Sequence, residues 1–222
     1  MRRLINGIVD FRKKSLAEYR EKFSKLAQGQ SPDALFIACC DSRVVPNVFA
    51  SSDPGELFVL RNIGNLVPPF HDAPHEHPTD TSVSATIEFA VKRLNVSDII
   101  VCGHSECGAM QFFTTPHQDA NLVCVDKWLN LAAPSYERFQ QSRPHGTMAK
   151  FSPHNQLSLI NVLQQVDHLK TYPWVRERLE TNQLRLHGWW FELASADVYH
   201  YRADKDDFVV IDHTHEDAKQ LI

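Results

Sequence analysis

Two short stretches of this chain concentrate the residue types that bind metals, move protons or hold anions. The first, A-C-C-D-S-R at residues 38–43, offers Cys39, Cys40, Asp41 and Arg43. The second, C-G-H-S-E-C-G at residues 102–108, offers His104 and Cys107 in a His-x-x-Cys spacing. Cys39, His104 and Cys107 together supply two sulfurs and one imidazole, the donor set of a zinc site whose fourth position is still available. The plainer readings are a closed structural zinc or three buried core residues. Asp41 and Arg43 weigh against both, because an acid and a base have no packing reason to sit at the end of an apolar run. An isolated Asp and Arg pair is more often a surface salt bridge of small energetic worth, and only its place beside a metal ligand reverses that reading.

Two thiolates bring a bound zinc ion close to neutrality, so they acidify a bound water less than three imidazoles, which hold it near pH ~7. Such a site needs help in favouring hydroxide and in orienting it. Asp41 is placed to accept the hydrogen bond of a zinc-bound hydroxide or water, and Arg43 to grip that carboxylate with its planar donor fork. An Asp41 that moved onto the metal would fill the open position and switch the site off.

These motifs need elements to present them. The apolar runs 35–38 and 99–102 read as buried strands that end at the two motifs, and ligands of open parallel sheets gather at the carboxyl ends of strands. If the backbone stays extended past residue 39, then Cys39, Asp41 and Arg43 share one face. A third strand at 57–60 ends in Arg61-Asn62-Ile63-Gly64-Asn65, which borders the same site. A helix at 81–94, with Val83, Ile87, Ala90, Val91 and Leu94 inward, completes a right-handed crossover. Residues 1–30 read as a helical arm of two segments. Its apolar stripes, Leu4, Ile8, Phe11 and then Leu16, Tyr19, Phe23, Leu26, suit either the chain's own core or a neighbouring subunit. Further on, short helices are predicted at 128–133 and 136–139, a helix at 156–169, and another from Pro173 to residue 179. A strand at 183–193 and an edge hairpin at 197–201 and 208–211 close the chain. The fold class is therefore α/β: a mainly parallel central sheet flanked by helices, one domain in all, with the zinc-binding catalytic part at 31–222.

Three blocks carry a family resemblance. Cys39-x-Asp41-x-Arg43, Arg61-Asn62-x-x-Asn65 and Gly103-His104-Ser105-x-Cys107-Gly108 resemble, in order and spacing, the signatures of the beta-class carbonic anhydrases. The likeness runs from about residue 30 to 110, with a weaker echo at His187-Gly188-Trp189. It implies Cys39, His104 and Cys107 as Zn2+ ligands, Asp41 and Arg43 as the catalytic pair, and reversible hydration of carbon dioxide to bicarbonate and a proton by a zinc-bound hydroxide. It also implies a homodimer or homotetramer with sites at subunit interfaces. Carbonyl sulfide or carbon disulfide hydrolysis on the same scaffold, and a zinc scaffold or sensor without turnover, are the rival readings.

In the plant-like branch a Gln, a Phe and a Tyr line the carbon dioxide pocket, and the matching positions are Gln30, Phe58 and Phe89. Phe89 departs from the pattern by lacking the phenol, and Cys40 replaces a residue that is usually small. Another branch binds inhibitory bicarbonate on a Trp, an Arg and a Tyr. The matching residues are Phe36, Arg61 and Phe191, so that regulatory site, with its closed state at mildly acid pH, is expected to be missing.

Composition narrows the remaining classes. The 222 residues are 43% hydrophobic, enough for one sizeable core. The 23 basic and 27 acidic residues give a net charge of -4 without a long basic block, so nucleic acid is not an expected partner. No apolar stretch reaches the ~18 residues of a membrane span, and residues 1–10 lack a signal-peptide core, so a cytoplasmic protein is expected, with an organellar address as the alternative. Five cysteines in a chain of this size read as reduced thiols. Cys102 and Cys124 are expected in the core, and Cys39 and Cys40 are not expected to pair. His71, His75, His77, His213 and His215 read as solvated, with the first three as candidates for passing protons to buffer.

Overall fold

The computed structural model describes residues 1–50, 52–70, 81–115 and 122–212. Along the chain come α1 (Arg2–Lys14), α2 (Leu16–Leu26), β1 (Ala34–Cys39), α3 (Pro46–Phe49) and β2 (Leu57–Asn62). Next are α4 (Thr81–Glu88), β3 (Asp98–His104), α5 (Gly108–Thr114), α6 (Val123–Leu129) and α7 (Ala133–Gln141). The chain ends with α8 (Pro153–Leu169), α9 (Pro173–Glu180), β4 (Arg185–Phe191), β5 (Val198–Arg202) and β6 (Asp207–Val210). The six strands form one sheet in the order β2-β1-β3-β4-β5-β6. The first four run parallel, and β5 and β6 are added antiparallel at one edge.

The apolar runs become central strands because both of their faces are covered. Leu35 and Ile37 of β1, with Ile99 and Val101 of β3, pack under Ile87 of α4, Leu159 and Val162 of α8, and Val175 of α9. Phe36, Ala38, Ile100 and Cys102 point the other way, onto Val44 and Phe191. Cys102 is thus a core residue, as expected. Cys124 is not: it lies exposed on α6, whose inward side is formed by Leu129 and the partly buried Val125 and Trp128.

The predicted strands and the hairpin are present with ends shifted by at most two residues. The helix at 81–94 changes pitch, passing from α4 into a π-turn at Phe89–Arg93 where the N–H of Leu94 reaches back to Phe89 O. The two short helices near 128–139 belong to a longer helical run, α6, a 3-10 turn at Asn130–Ala132, and α7. Neither α1 nor α2 buries a residue. The stripe of α1 stays largely open, with Ile8 62% exposed, and the arm meets the body through Lys22 on Asp53 and Leu26 against Gly55. Among the described residues no helix is long and apolar enough to cross a membrane.

Candidate metal centre

β1 and β3 are adjacent parallel strands, with Ala38 level with Cys102, so their carboxyl ends bring Cys39 and His104 to the same edge of the sheet. The chain then turns through Ser105 and Glu106, and Cys107 follows immediately before α5. One donor atom from each of Cys39, His104 and Cys107 lies within 4.8 Å of the others, as donors sharing one ion at ~2.0–2.3 Å require. All three residues are buried. His104 Nδ1 lies 2.8 Å from Ser105 O, which places its proton there and leaves Nε2 with a lone pair, buried and without a hydrogen-bond partner among the described residues. That orphaned nitrogen beside two sulfurs is what a metal ligand looks like before its metal is counted.

Cys39 is pulled well below the usual thiol range by the Cys107 thiol that donates to it, helped by His104, the Gly64 N–H and the Asp41 backbone against the opposing effect of burial. Cys107 moves up, because it shares its proton with the Cys39 sulfur and is buried beside that charge. A metal ion displaces such a shared proton, since both sulfurs ligate as thiolates.

Asp41 and Arg43 meet beside this cluster, although by a different route from the predicted one. β1 stops at Cys39, and the chain turns, with the Val44 N–H donating to Asp41 O at 3.0 Å. The Arg43 N–H donates to Asp41 Oδ1 at 3.0 Å. This Asx turn, not strand alternation, brings the side chains together. Arg43 Nε donates to Asp41 Oδ1 at 2.9 Å and Nη2 to Oδ2 at 2.7 Å. Arg43 holds the carboxyl well below the usual carboxylate range, above all through these two side-chain bonds. Arg43 Nη2 also donates to Glu106 O at 3.0 Å, which ties the pair to the loop between His104 and Cys107.

Arg61 has a backbone task. It donates to Cys39 O at 3.0 and 2.9 Å and to Asp41 O at 2.7 Å, fixing the strand end that carries both residues. Phe36 and Phe191 are buried, with Phe36 against Phe49 and Trp189 and Phe191 stacked on Phe49. Asn62 spans its own loop, bonding both backbone groups of Leu66.

The other predicted pocket residues do not reach this cluster within one chain. Phe58 is level with Leu35, whereas Asn62 is level with Cys39, a separation of roughly 13 Å along the strand. Phe89 stacks on Phe58 at 5.8 Å and is 45% exposed. Gln30 is exposed and lines a shallow depression with Gly29, Pro54 and Glu56. Cys40 is exposed and free. His71, His75, His77, His213 and His215 lie outside the described residues. A separate cleft of about 450 Å³ opens between α8 and the diverging β4 and β5. Arg138 and Lys170 there are paired with Asp167, so they are committed to a local network away from the sulfurs.

Sequence reasoning missed Asn155, Ser158, Asn161 and Gln165 of α8, which bond to the loops of the centre. Their signal was present: polar residues at intervals of three and four, set among leucines, isoleucine and valines.

Comparison with known proteins agrees with this geometry. The family profile described as "Carbonic anhydrase" matches residues 34–198. The chain is 37% identical over 219 residues to a carbonic anhydrase of Synechococcus elongatus, covering 96% of this chain and 75% of that protein. It is 39% identical over 198 residues to a carbonic anhydrase of Pseudomonas aeruginosa, covering 89% and 86%. Among solved structures, the beta-carbonic anhydrase CcaA superposes with a TM-score of 0.84 at 34% identity, over 95% of this chain and 99% of that one. One of two tetrameric beta-carbonic anhydrases from Sordaria macrospora superposes with a TM-score of 0.74 at 26% identity, over 90% and 95%. With the profile spanning the strands that carry Cys39, His104 and Cys107, and relatives alike over nearly the whole chain, this protein belongs to the beta-carbonic anhydrase family.

Proposed function

We propose that Cys39, His104 and Cys107 hold one zinc ion and that Asp41 and Arg43 form the catalytic pair beside it. The reaction is the family's, reversible hydration of carbon dioxide to bicarbonate and a proton. The observation that carries the site assignment is the convergence of three buried donors, one of them the partnerless His104 Nε2. Two soft thiolates and an imidazole suit zinc, and among the described residues no fourth His, Cys, Asp or Glu joins the cluster. When bound, zinc supplies a Lewis acid that ionises water near neutral pH.

The chain's own residues orient that water. Asp41 is ionised throughout the neutral range, so it accepts a hydrogen bond from the attacking water and turns the lone pair toward the carbon. The same depressed pKa means Asp41 cannot keep the proton, which passes on to buffer. Arg43 fixes the plane of the carboxylate and, by occupying both oxygens, keeps it from turning onto the metal.

Gln30, Phe58 and Phe89 are assigned to the carbon dioxide pocket in an assembly, a homodimer or homotetramer, in which a second copy brings its Phe58 and Phe89 face to the sulfurs. The open stripe of α1, with no buried residue to account for it, supports this. The 1–30 arm then clasps a neighbour, and 31–222 is the catalytic domain. A cytoplasmic location is supported by five free cysteines, which a reducing compartment keeps as thiols.

Stopped-flow carbon dioxide hydration with metal analysis tests the reading. The wild type is expected to carry one zinc per chain and to be active, and Cys107→Ser to bind zinc ~100-fold more weakly or worse and lose activity with it. Protein purified under reducing conditions without stoichiometric metal would end the assignment. Carbonyl sulfide and carbon disulfide, run beside carbon dioxide, are expected to turn over more slowly.

A further inference from the structure

α8 turns a row of polar side chains into the protein: Asn155, Ser158, Asn161, Gln165 and His168, all buried. Burying so many amides and hydroxyls is costly unless each is bonded, and a helix needed only for packing would be apolar there. Their partners lie in loops at the carboxyl ends of β2 and β3. Asn155 Oδ1 accepts from the Glu106 N–H at 2.8 Å, and Ser158 Oγ donates to His104 O at 2.9 Å. Asn161 Nδ2 donates to Gly64 O at 3.0 Å, and Gln165 Oε1 accepts from the Val67 N–H at 2.8 Å.

Gly64 links this row to the sulfurs. Its N–H points at Cys39 Sγ, 3.4 Å away, while its carbonyl is held by Asn161. Gly64 and Asn65 are both left-handed, with φ of 77° and 47°, conformations these two residues adopt readily, so the sequence allows the turn and the bond from Asn161 fixes where its peptide points. Asn161 is itself locked, because its Oδ1 accepts from Ser135 Oγ and from Gln165 Nε2, both at 2.9 Å. Those two donors leave Asn161 Nδ2 facing Gly64.

We propose that Asn161 is a positioning residue for the metal centre: through Gly64 it aims a backbone N–H at the Cys39 sulfur. The inference rests on the reading of Cys39 as a zinc ligand. A hydrogen bond to a ligating thiolate draws electron density from sulfur, so the ion remains a stronger Lewis acid than two bare thiolates would leave it. It also offsets the weak acidifying power expected of this donor set.

The test compares full-length Asn161→Leu with Leu159→Ala, which removes an apolar contact from the same helix. Zinc transfer to a chromophoric chelator and the sulfur-to-cobalt charge-transfer band of cobalt-substituted protein are the readouts. Asn161→Leu is expected to release zinc ~10-fold faster or more and to shift the band to longer wavelength. Leu159→Ala is expected to lower Tm while leaving both readouts at wild-type values. Wild-type values in Asn161→Leu, or equal changes in Leu159→Ala, overturn the proposal. If Asn161→Leu does not fold, Asn161→Ser, whose hydroxyl is too short to reach Gly64 O, is read by the same criteria. A wild type that binds neither metal overturns the zinc reading itself, and does so without any variant.

Discussion

In the proposed mechanism Asp41 must be charged, correctly turned and kept off the metal, and Arg43 would serve all three needs through two parallel bonds. A lysine at position 43 would provide charge but no fork. Arg43→Lys is therefore expected to lower kcat/KM by ~10-fold or more with zinc content unchanged. The pH dependence should keep its shape between pH 6 and 9. Arg43 depresses the Asp41 pKa, and losing it lets the carboxyl return only toward its ordinary ~3.9, so Asp41 stays ionised across that window. The loss is one of orientation, and a pH–rate profile of the variant checks it. Cys39, His104, Cys107, Asp41 and Arg43, which the structure brings together, were legible as candidates in the sequence because few residue types bind zinc or grip a carboxylate. The bonds from Arg61 to Cys39 O and Asp41 O were not, because a guanidinium commits to carbonyls only where the fold brings them.

The central strands and α8 approach so closely that side chains are excluded at their crossing. A Cβ on Gly103 would lie 2.7 Å from Val162 Cγ2 and 3.1 Å from Trp190 Cδ1. Gly103→Ala is expected to destabilise by ~1–3 kcal/mol, measured by urea unfolding of the folded variant. The lower end of α8 carries a pH effect. Burial pushes the His168 imidazole below its ordinary value, against the bond to Val67 O that favours the charged form. The unfolded chain then binds the proton first, near pH ~6.5, so stability falls as pH drops from ~6.5 toward the lower folded value and is unaffected above it. His168→Gln is expected to flatten that slope by at most ~1.4 kcal/mol per pH unit, seen in urea midpoints between pH 5 and 7.5. Hydrophobic periodicity located these elements, as it located the strand at 57–60 and the hairpin. The π-turn after α4 and the burial of the α8 polar row depend on partners distant in sequence, which periodicity does not register.

For the molecule as a whole, the decisive fact is how much apolar surface one chain leaves open. α1 exposes Leu4, Ile5 and Ile8, and the Phe58–Phe89 stack lies away from the sulfurs. A twofold assembly covers each such surface twice. If the proposed assembly is twofold and buries Ile8 of both copies, Ile8→Glu is expected to raise the dissociation constant by ~100-fold or more, since two isoleucines buried there contribute at least ~3 kcal/mol. Light scattering at falling concentration checks this, and Tm of the variant should depend on concentration less steeply than that of the wild type, because a weaker assembly lends the fold less mass-action stabilisation.

The sequence alone determined the candidate donors, the Asp and Arg proposed to act beside them, the strand-ending motifs and the α/β order. Those depend on residue chemistry and on local hydrophobic period. Only the tertiary structure decided that three donors separated along the chain converge, that a turn rather than an extended strand brings Arg43 onto Asp41, that Cys124 is exposed and that α8 holds the loops of the centre. The convergence of the donors and the bonds from α8 are meetings of distant segments, which strand register and packing settle once every buried polar group has found its partner. The Asp41 turn, by contrast, is local and is set by the side-chain bond that competes with strand extension.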